Sequence, residues 1–202
     1  MKKIVLLTGI FLTSVVMVSA CGKKSESPAI PQETPEIAAQ SGETLSQVSE
    51  EPSFSNFKSV TLGGEEVNQD LFADYNLTMV NVWATFCGPC LREMPDLGEI
   101  HEEYKEKGFQ IVGIVSDVLN RDGSLSESQL KTAREIVEQT GAGYVHMIPS
   151  YDLQMAKLKD VTVVPTTFFL DKDGNLVGEE QLGSKSKEDW MKLIDEYLKE
   201  VS

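Results

Sequence analysis

Cysteine is scarce in this chain. Three occur in 202 residues, at positions 21, 87 and 90, so no disulfide framework can hold a fold and the core must do it. The shortage also argues against structural zinc, which takes four ligands: there is no second cysteine pair to complete a site. Histidine adds little. His101 and His146 lack the spacing of a third metal ligand or a catalytic base, and both are expected to be structural. Basic residues are in deficit too, 18 against 32 acidic, for a net charge of -14. That balance argues against nucleic acid and against electrostatic docking on anionic lipid. It reads first as solubility. Residues 22–53 hold no aromatic residue but four of the eight prolines, with many Ser, Glu and Gln. Such a stretch cannot bury enough apolar surface to offset its ordering entropy, and a disordered tether is expected. Its reach as a coil is roughly 30 Å.

The longest apolar run, residues 4–18, is interrupted by Thr8, Gly9, Thr13 and Ser14. It is slightly short for a span, which needs about 20 apolar residues. Met1-Lys2-Lys3 precedes it and Val18-Ser19-Ala20-Cys21 ends it. A basic start, an apolar middle and small residues at a cut site describe a secretory signal. Val-Ser-Ala-Cys resembles a bacterial lipobox, which implies removal of residues 1–20 and lipidation of Cys21. Two acyl chains anchor stably where one does not. An uncleaved anchor and soluble secretion are the alternatives. All three leave the rest of the chain outside the cytoplasm. The expected organisation is therefore a signal over 1–20, a lipidated cysteine and tether over 21–53, and one folded domain over 54–202.

Within that domain, Val60 to Val67 suggests a hairpin around Gly63-Gly64. Residues 79–84 and 109–115 read as buried strands. A helix is expected from about Cys90 to Lys107, with Leu91, Met94, Leu97 and Tyr104 on one face, and Pro95 should kink it. Ser126-Glu127-Ser128-Gln129 is a capping box, opening a helix that Gly141 stops. A short strand over 144–148 and a brief helix over 152–158 follow. Residues 165–170 form a strand that Asp173-Gly174 turns back. Trp190, Leu193, Ile194, Tyr197 and Leu198 make the apolar stripe of a last helix. The pattern gives an α/β fold, a central sheet flanked by helices, with its topology open.

Cys87-Gly88-Pro89-Cys90 lies between the first buried strand and its helix. Two thiols at that spacing, one at a helix N-terminus, can cycle between dithiol and disulfide. Helix N–H groups favour the thiolate, which makes Cys87 the attacking sulfur and Cys90 the resolving one. Gly88 and Pro89 set the turn, and Pro89 presets φ at the helix start. Glu93 is one turn beyond Cys90 on the same face. It is either a proton acceptor for Cys90 or an exposed acid that complements the helix dipole. Trp83 and Phe86 flank the motif, as packing or as substrate contacts.

Residues 54–200 resemble the thioredoxin fold. The segment Asn81 to Pro95, reading NVWATFCGPCLREMP, resembles more narrowly the membrane-anchored TlpA/ResA branch. Val164-Pro165-Thr166 is similar to its cis-proline segment and residues 171–175 to its hairpin. The resemblance implies a central mixed sheet and an extracytoplasmic thiol–disulfide oxidoreductase. It implies catalytic Cys87, Cys90 and Glu93, with Trp83, Gly88, Pro89, Val164 and Pro165 around the substrate. It implies reduction of exported proteins such as apocytochrome c or methionine sulfoxide reductase, with electrons from a membrane carrier of the CcdA/DsbD type. No cofactor beyond the dithiol and no metal is implied. A cis Pro165 would leave the Val164 backbone free to pair with a substrate strand. Gly-Pro between the cysteines is the dipeptide of reducing thioredoxins. One departure from thioredoxin itself is Asn81, where thioredoxin carries a buried Asp six residues before its first cysteine. An amide cannot take up a proton, so that role moves to Glu93, to water, or nowhere.

Three other activities use related residues. A thiol peroxidase needs a Pro-x-x-x-Thr-x-x-Cys loop, and Val80 and Ala84 stand in the Pro and Thr positions. A Sco-type metallochaperone wants Cys-x-x-x-Cys and a later histidine. A disulfide-forming oxidase would share every residue and differ only in potential.

Overall fold

The computed structural model describes residues 53–201. The expectations for residues 1–20, Cys21 and the tether up to Pro52 lie outside the described residues. Among the described residues, no helix is long and apolar enough to cross a membrane.

Two strands form the middle of the sheet because their sequences are apolar on both faces. β3 (Leu77–Trp83) and β4 (Phe109–Val115) are buried at every position, as expected of parallel strands covered by helices on either side. They run parallel in register, Leu77 opposite Phe109 and Trp83 opposite Val115. β5 (Val145–Met147) adds parallel to β4. β6 (Thr166–Asp171) lies antiparallel on the other side of β3, and β7 (Leu176–Leu182) antiparallel to β6. The order is β5-β4-β3-β6-β7, the central mixed sheet that the family resemblance implied.

Alternation along β3 divides the core in two. Leu77, Met79 and Trp83 join the cluster that holds Cys90, Met94, Leu97 and Trp190. Val80 and Val82 join the other, with Phe54, Phe57, Phe72 and Phe168. Asn81 shares the parity of Met79 and Trp83, so it points to the same face, toward α1 (Gly88–Tyr104). The helices α2 (Glu127–Thr140), α3 (Tyr151–Ala156) and α4 (Lys187–Val201) complete the domain.

The hairpin is present, with β1 (Lys58–Val60) and β2 (Glu66–Asn68) antiparallel around Gly63-Gly64. It is stitched onto β5: Leu62 N–H donates to the His146 carbonyl and Ile148 N–H to the Val60 carbonyl. α1 begins at Gly88, two residues earlier than expected, because Cys87 itself caps it. α1 continues through Pro95 to Tyr104. The Ser126 hydroxyl accepts from Gln129 N–H as the capping box requires, but the Gln129 side chain does not reach back to close it. It donates instead to Thr85 and Asp117.

His146 is structural, with a specific reason. It pairs with Gly113 on β4, and any Cβ at 113 would fall 2.2 Å from its Nδ1. Its Nδ1 accepts from Trp83 Nε1–H at 3.1 Å, and its Nε2 lies 2.9 Å from the Ala142 carbonyl. Both contacts are satisfied only by the neutral Nε2–H tautomer. Burial pushes its pKa down to about 4. The unfolded chain then holds the extra proton between pH 6.5 and 4. His146 stabilises the fold fully above pH 6.5, and that contribution, about 3 kcal/mol, is lost as pH falls toward 4. Urea unfolding across this window should show His146→Gln with a flatter pH dependence than the parent; parallel curves would refute the assignment.

Candidate active site

The redox site forms where β3 ends and α1 begins. Cys87 and Cys90 are joined as a disulfide with Cα atoms 5.3 Å apart. Cys87 is the N-cap of α1, and its Sγ accepts from Cys90 N–H at 3.2 Å. In the reduced state that N–H and the helix dipole stabilise a thiolate on Cys87. The two sulfurs are unequal: Cys87 is 5% exposed and Cys90 0%. Gly88 and Pro89 are both exposed at the turn.

Val164 and Pro165 meet this end of the helix. Their peptide bond is cis, and the Val164 carbonyl oxygen lies 3.5 Å from Cys87 Sγ. Beside them is a cleft of about 570 Å³ lined by Phe86, Val163, Val164, Leu158 and Val161, with no charged residue on its walls. Phe86 is 77% exposed, a large apolar side chain left in water next to the nucleophile.

Trp83 requires a correction. Expected among the substrate contacts, it is completely buried. It is the last residue of a central strand, and its indole is committed to His146, so it offers no surface to a partner. Phe86, three residues on, is the exposed aromatic.

Glu93 is not the exposed acid of the alternative reading. It is 3% exposed and accepts from three donors. Oε1 accepts from Asn81 Nδ2 at 3.1 Å, while Oε2 accepts from Trp190 Nε1–H and from Lys185 N–H, both at 3.3 Å. Burial outweighs these bonds and raises the carboxyl pKa above its usual range. Asn81 Nδ2 also donates to Thr167 Oγ1 at 3.0 Å. Asn81 Oδ1 and the Tyr144 hydroxyl are buried with no hydrogen-bond partner among the described residues.

Two sets of contacts at the site have no counterpart in the sequence reading. Asp117 ties down the loop before the cysteines: both its oxygens accept from Thr85 N–H at 3.1 Å, and Oδ2 accepts from the Thr85 hydroxyl at 2.6 Å. A signal existed for it. Asp117 follows β4, and loops after adjacent parallel strands emerge at the same end of the sheet. Trp190 and Lys185, the donors to Glu93, are 97 and 92 residues from it and left no local signal.

A cystine at a helix N-terminus, backed by a buried carboxyl and faced by a cis-proline on a five-stranded mixed sheet, defines a thioredoxin-fold thiol–disulfide oxidoreductase. Known proteins agree. The Redoxin family model matches residues 46–193, and the chain belongs to that family. It is 27% identical over 157 residues to the thiol-disulfide oxidoreductase ResA of Bacillus thuringiensis subsp. konkukian, covering 73% of this chain and 75% of the relative. It is 31% identical over 123 residues to ResA of Bacillus anthracis, covering 61% and 62%. Among solved structures it is similar to a thiol:disulfide interchange protein of the thioredoxin family from Chlorobium tepidum, with a TM-score of 0.59, 26% identity, and 70% and 92% coverage. Within the family it is TlpA/ResA-like, and a protein-disulfide oxidoreductase.

Proposed function

We propose that this oxidoreductase works outside the cytoplasm, anchored to the bacterial membrane through lipid on Cys21, and reduces disulfides in exported proteins. The observation that carries the reading is Cys87 Sγ beside an uncharged cleft and the Val164 carbonyl. Mostly apolar, uncharged walls next to the attacking sulfur suit a polypeptide segment rather than a small charged thiol.

The chemistry follows from the inequality of the sulfurs. The Cys87 thiolate attacks a partner disulfide, forms a mixed disulfide, and releases the first partner sulfur as thiolate. Cys90 gives its proton to Glu93 and attacks Cys87 Sγ. The Cys87–Cys90 bond forms, the second partner sulfur leaves, and two electrons have passed to the partner. Apocytochrome c and methionine sulfoxide reductase are the client classes that the family resemblance favours, with a membrane carrier of the CcdA/DsbD type restoring the dithiol. The dithiol carries both electrons, so the step needs no separate cofactor.

The Gly88-Pro89 dipeptide favours the reductant over the oxidase. Redox equilibration with glutathione should give a potential nearer thioredoxin's, about -270 mV, than DsbA's, about -120 mV. That span is roughly 7 kcal/mol, enough to reverse the net direction, and a value near the upper end would make the protein an oxidase. The anchor is tested in cells that produce the full chain. Fatty-acid labelling and membrane retention should both be lost in Cys21→Ala, and a labelled variant would rule out Cys21 as the lipid site.

A further inference from the structure

The turn between β7 and α4 makes two main-chain contacts that the mechanism above leaves unused. Gly183 N–H donates to the Pro165 carbonyl at 2.9 Å. Two residues later Lys185 N–H donates to Glu93 Oε2 at 3.3 Å. Ser186 then caps α4, its hydroxyl accepting from Asp189 N–H, and Trp190 supplies the second donor to the same Oε2. Gly183 has a φ of 81° with open space where a Cβ would stand, so backbone conformation alone calls for glycine there. The Lys185 ammonium lies 5.6 Å from the Trp190 ring centroid.

The two carboxylate oxygens are therefore unequally occupied. Oε2 takes two donors and Oε1 takes one, from Asn81. An ionised carboxylate offers about two acceptor positions per oxygen. Oε2 is filled, and the open position is on Oε1.

We propose that the Gly183–Ser186 turn is a positioning element of the redox site. The main-chain N–H of Lys185, with Trp190, saturates Oε2 and directs the Cys90 proton to Oε1, and the Gly183–Pro165 bond fixes that N–H relative to the proline that faces the partner. The proposal rests on the reading of Glu93 as the proton acceptor. In the step itself the Cys90 S–H bond breaks, an O–H bond forms on Oε1, and the sulfur keeps the electron pair with which it attacks Cys87. Other groups that feel the Glu93 charge are Asp96 on α1 and Tyr144 ahead of β5, and the turn leaves both in place.

The test separates the amide from the ammonium. Replacing Lys185 by its α-hydroxy acid turns the 184–185 amide into an ester, which removes the N–H and keeps the side chain; Lys185→Pro removes the N–H and the ammonium together. Lys185→Ala keeps the N–H and removes the charge. Carboxyl-carbon NMR follows the Glu93 titration, and rapid mixing follows the pH profile of mixed-disulfide resolution by Cys90. The ester should move both upward by about one pH unit, the tenfold worth of one donor to a charged acceptor, and Lys185→Ala should move neither. An unmoved titration in the ester and proline variants, or an equal shift in Lys185→Ala, overturns the proposal. A shifted titration with an unshifted rate profile overturns it through Glu93 instead, since the hydrogen bond would then stand while the proton-transfer role falls.

Discussion

Cys87→Ser is expected to bring disulfide reduction down to the uncatalysed background, a loss on the order of 10³-fold or more. Few substitutions would separate chemistry from folding so cleanly. Serine is among the best N-cap residues, and its hydroxyl can take over the Cys90 N–H that Cys87 Sγ now accepts, so α1 keeps its start. What disappears is the one sulfur of the pair with any exposed surface. Cys90→Ser should fail differently, because it leaves the attacker intact and removes the completely buried resolver. It should accumulate mixed disulfides with partner proteins, visible on non-reducing gels. Full insulin reduction by Cys87→Ser, or trapping by Cys87→Ser instead of Cys90→Ser, would reverse the assignment of the two thiols.

Glu93→Gln is expected to slow mixed-disulfide resolution by roughly 10²-fold, the lower end of what a positioned proton acceptor contributes. The pocket can accept the amide. Its oxygen can face Trp190 and Lys185, and its NH₂ can face Asn81, whose unpartnered Oδ1 becomes the acceptor once the Asn81 side chain turns over. The rate should lose its dependence on pH in the range where Glu93 titrates. Stability gives a second readout with a fixed sign. Because the folded carboxyl has a raised pKa, the native state holds the proton where the unfolded chain has given it up. The associated stabilisation is complete below the unfolded value, near 4.5, and is lost as pH rises through the folded one. The parent should weaken against denaturant over that interval and Glu93→Gln should not. Resolution kinetics that match the parent at every pH would leave Glu93 a packing residue.

Much of this site could be read along the chain, and what could not has a common cause. Cys87, Pro89 and Cys90 carry their geometry in their spacing. The β3 and β4 runs declare themselves by being apolar on both faces. Ser126 and Gly141 mark the ends of α2 through local backbone chemistry. Contacts across the sheet leave no such trace. Trp83 and Phe86 looked alike as aromatics beside the motif, and only the sheet decides that one is sealed in and the other stands in water. Gln129 fits a capping box by sequence, yet Asp117 and Thr85 compete for its amide and win. The enclosure of Glu93 depends on α4 folding back over α1, which no pattern around residue 93 announces.

The hairpin sewn to β5 has a consequence for the company this molecule keeps. A protein that handles chains in extended form risks recruiting them, or its own copies, along any unpaired strand. One rim of the sheet is closed by residues 58–62, and the other, β7, has an irregular register and carries Glu179 and Glu180, features that discourage strand addition. Visitors are thereby turned away from the flanks and left with the end of the sheet where the sulfurs wait.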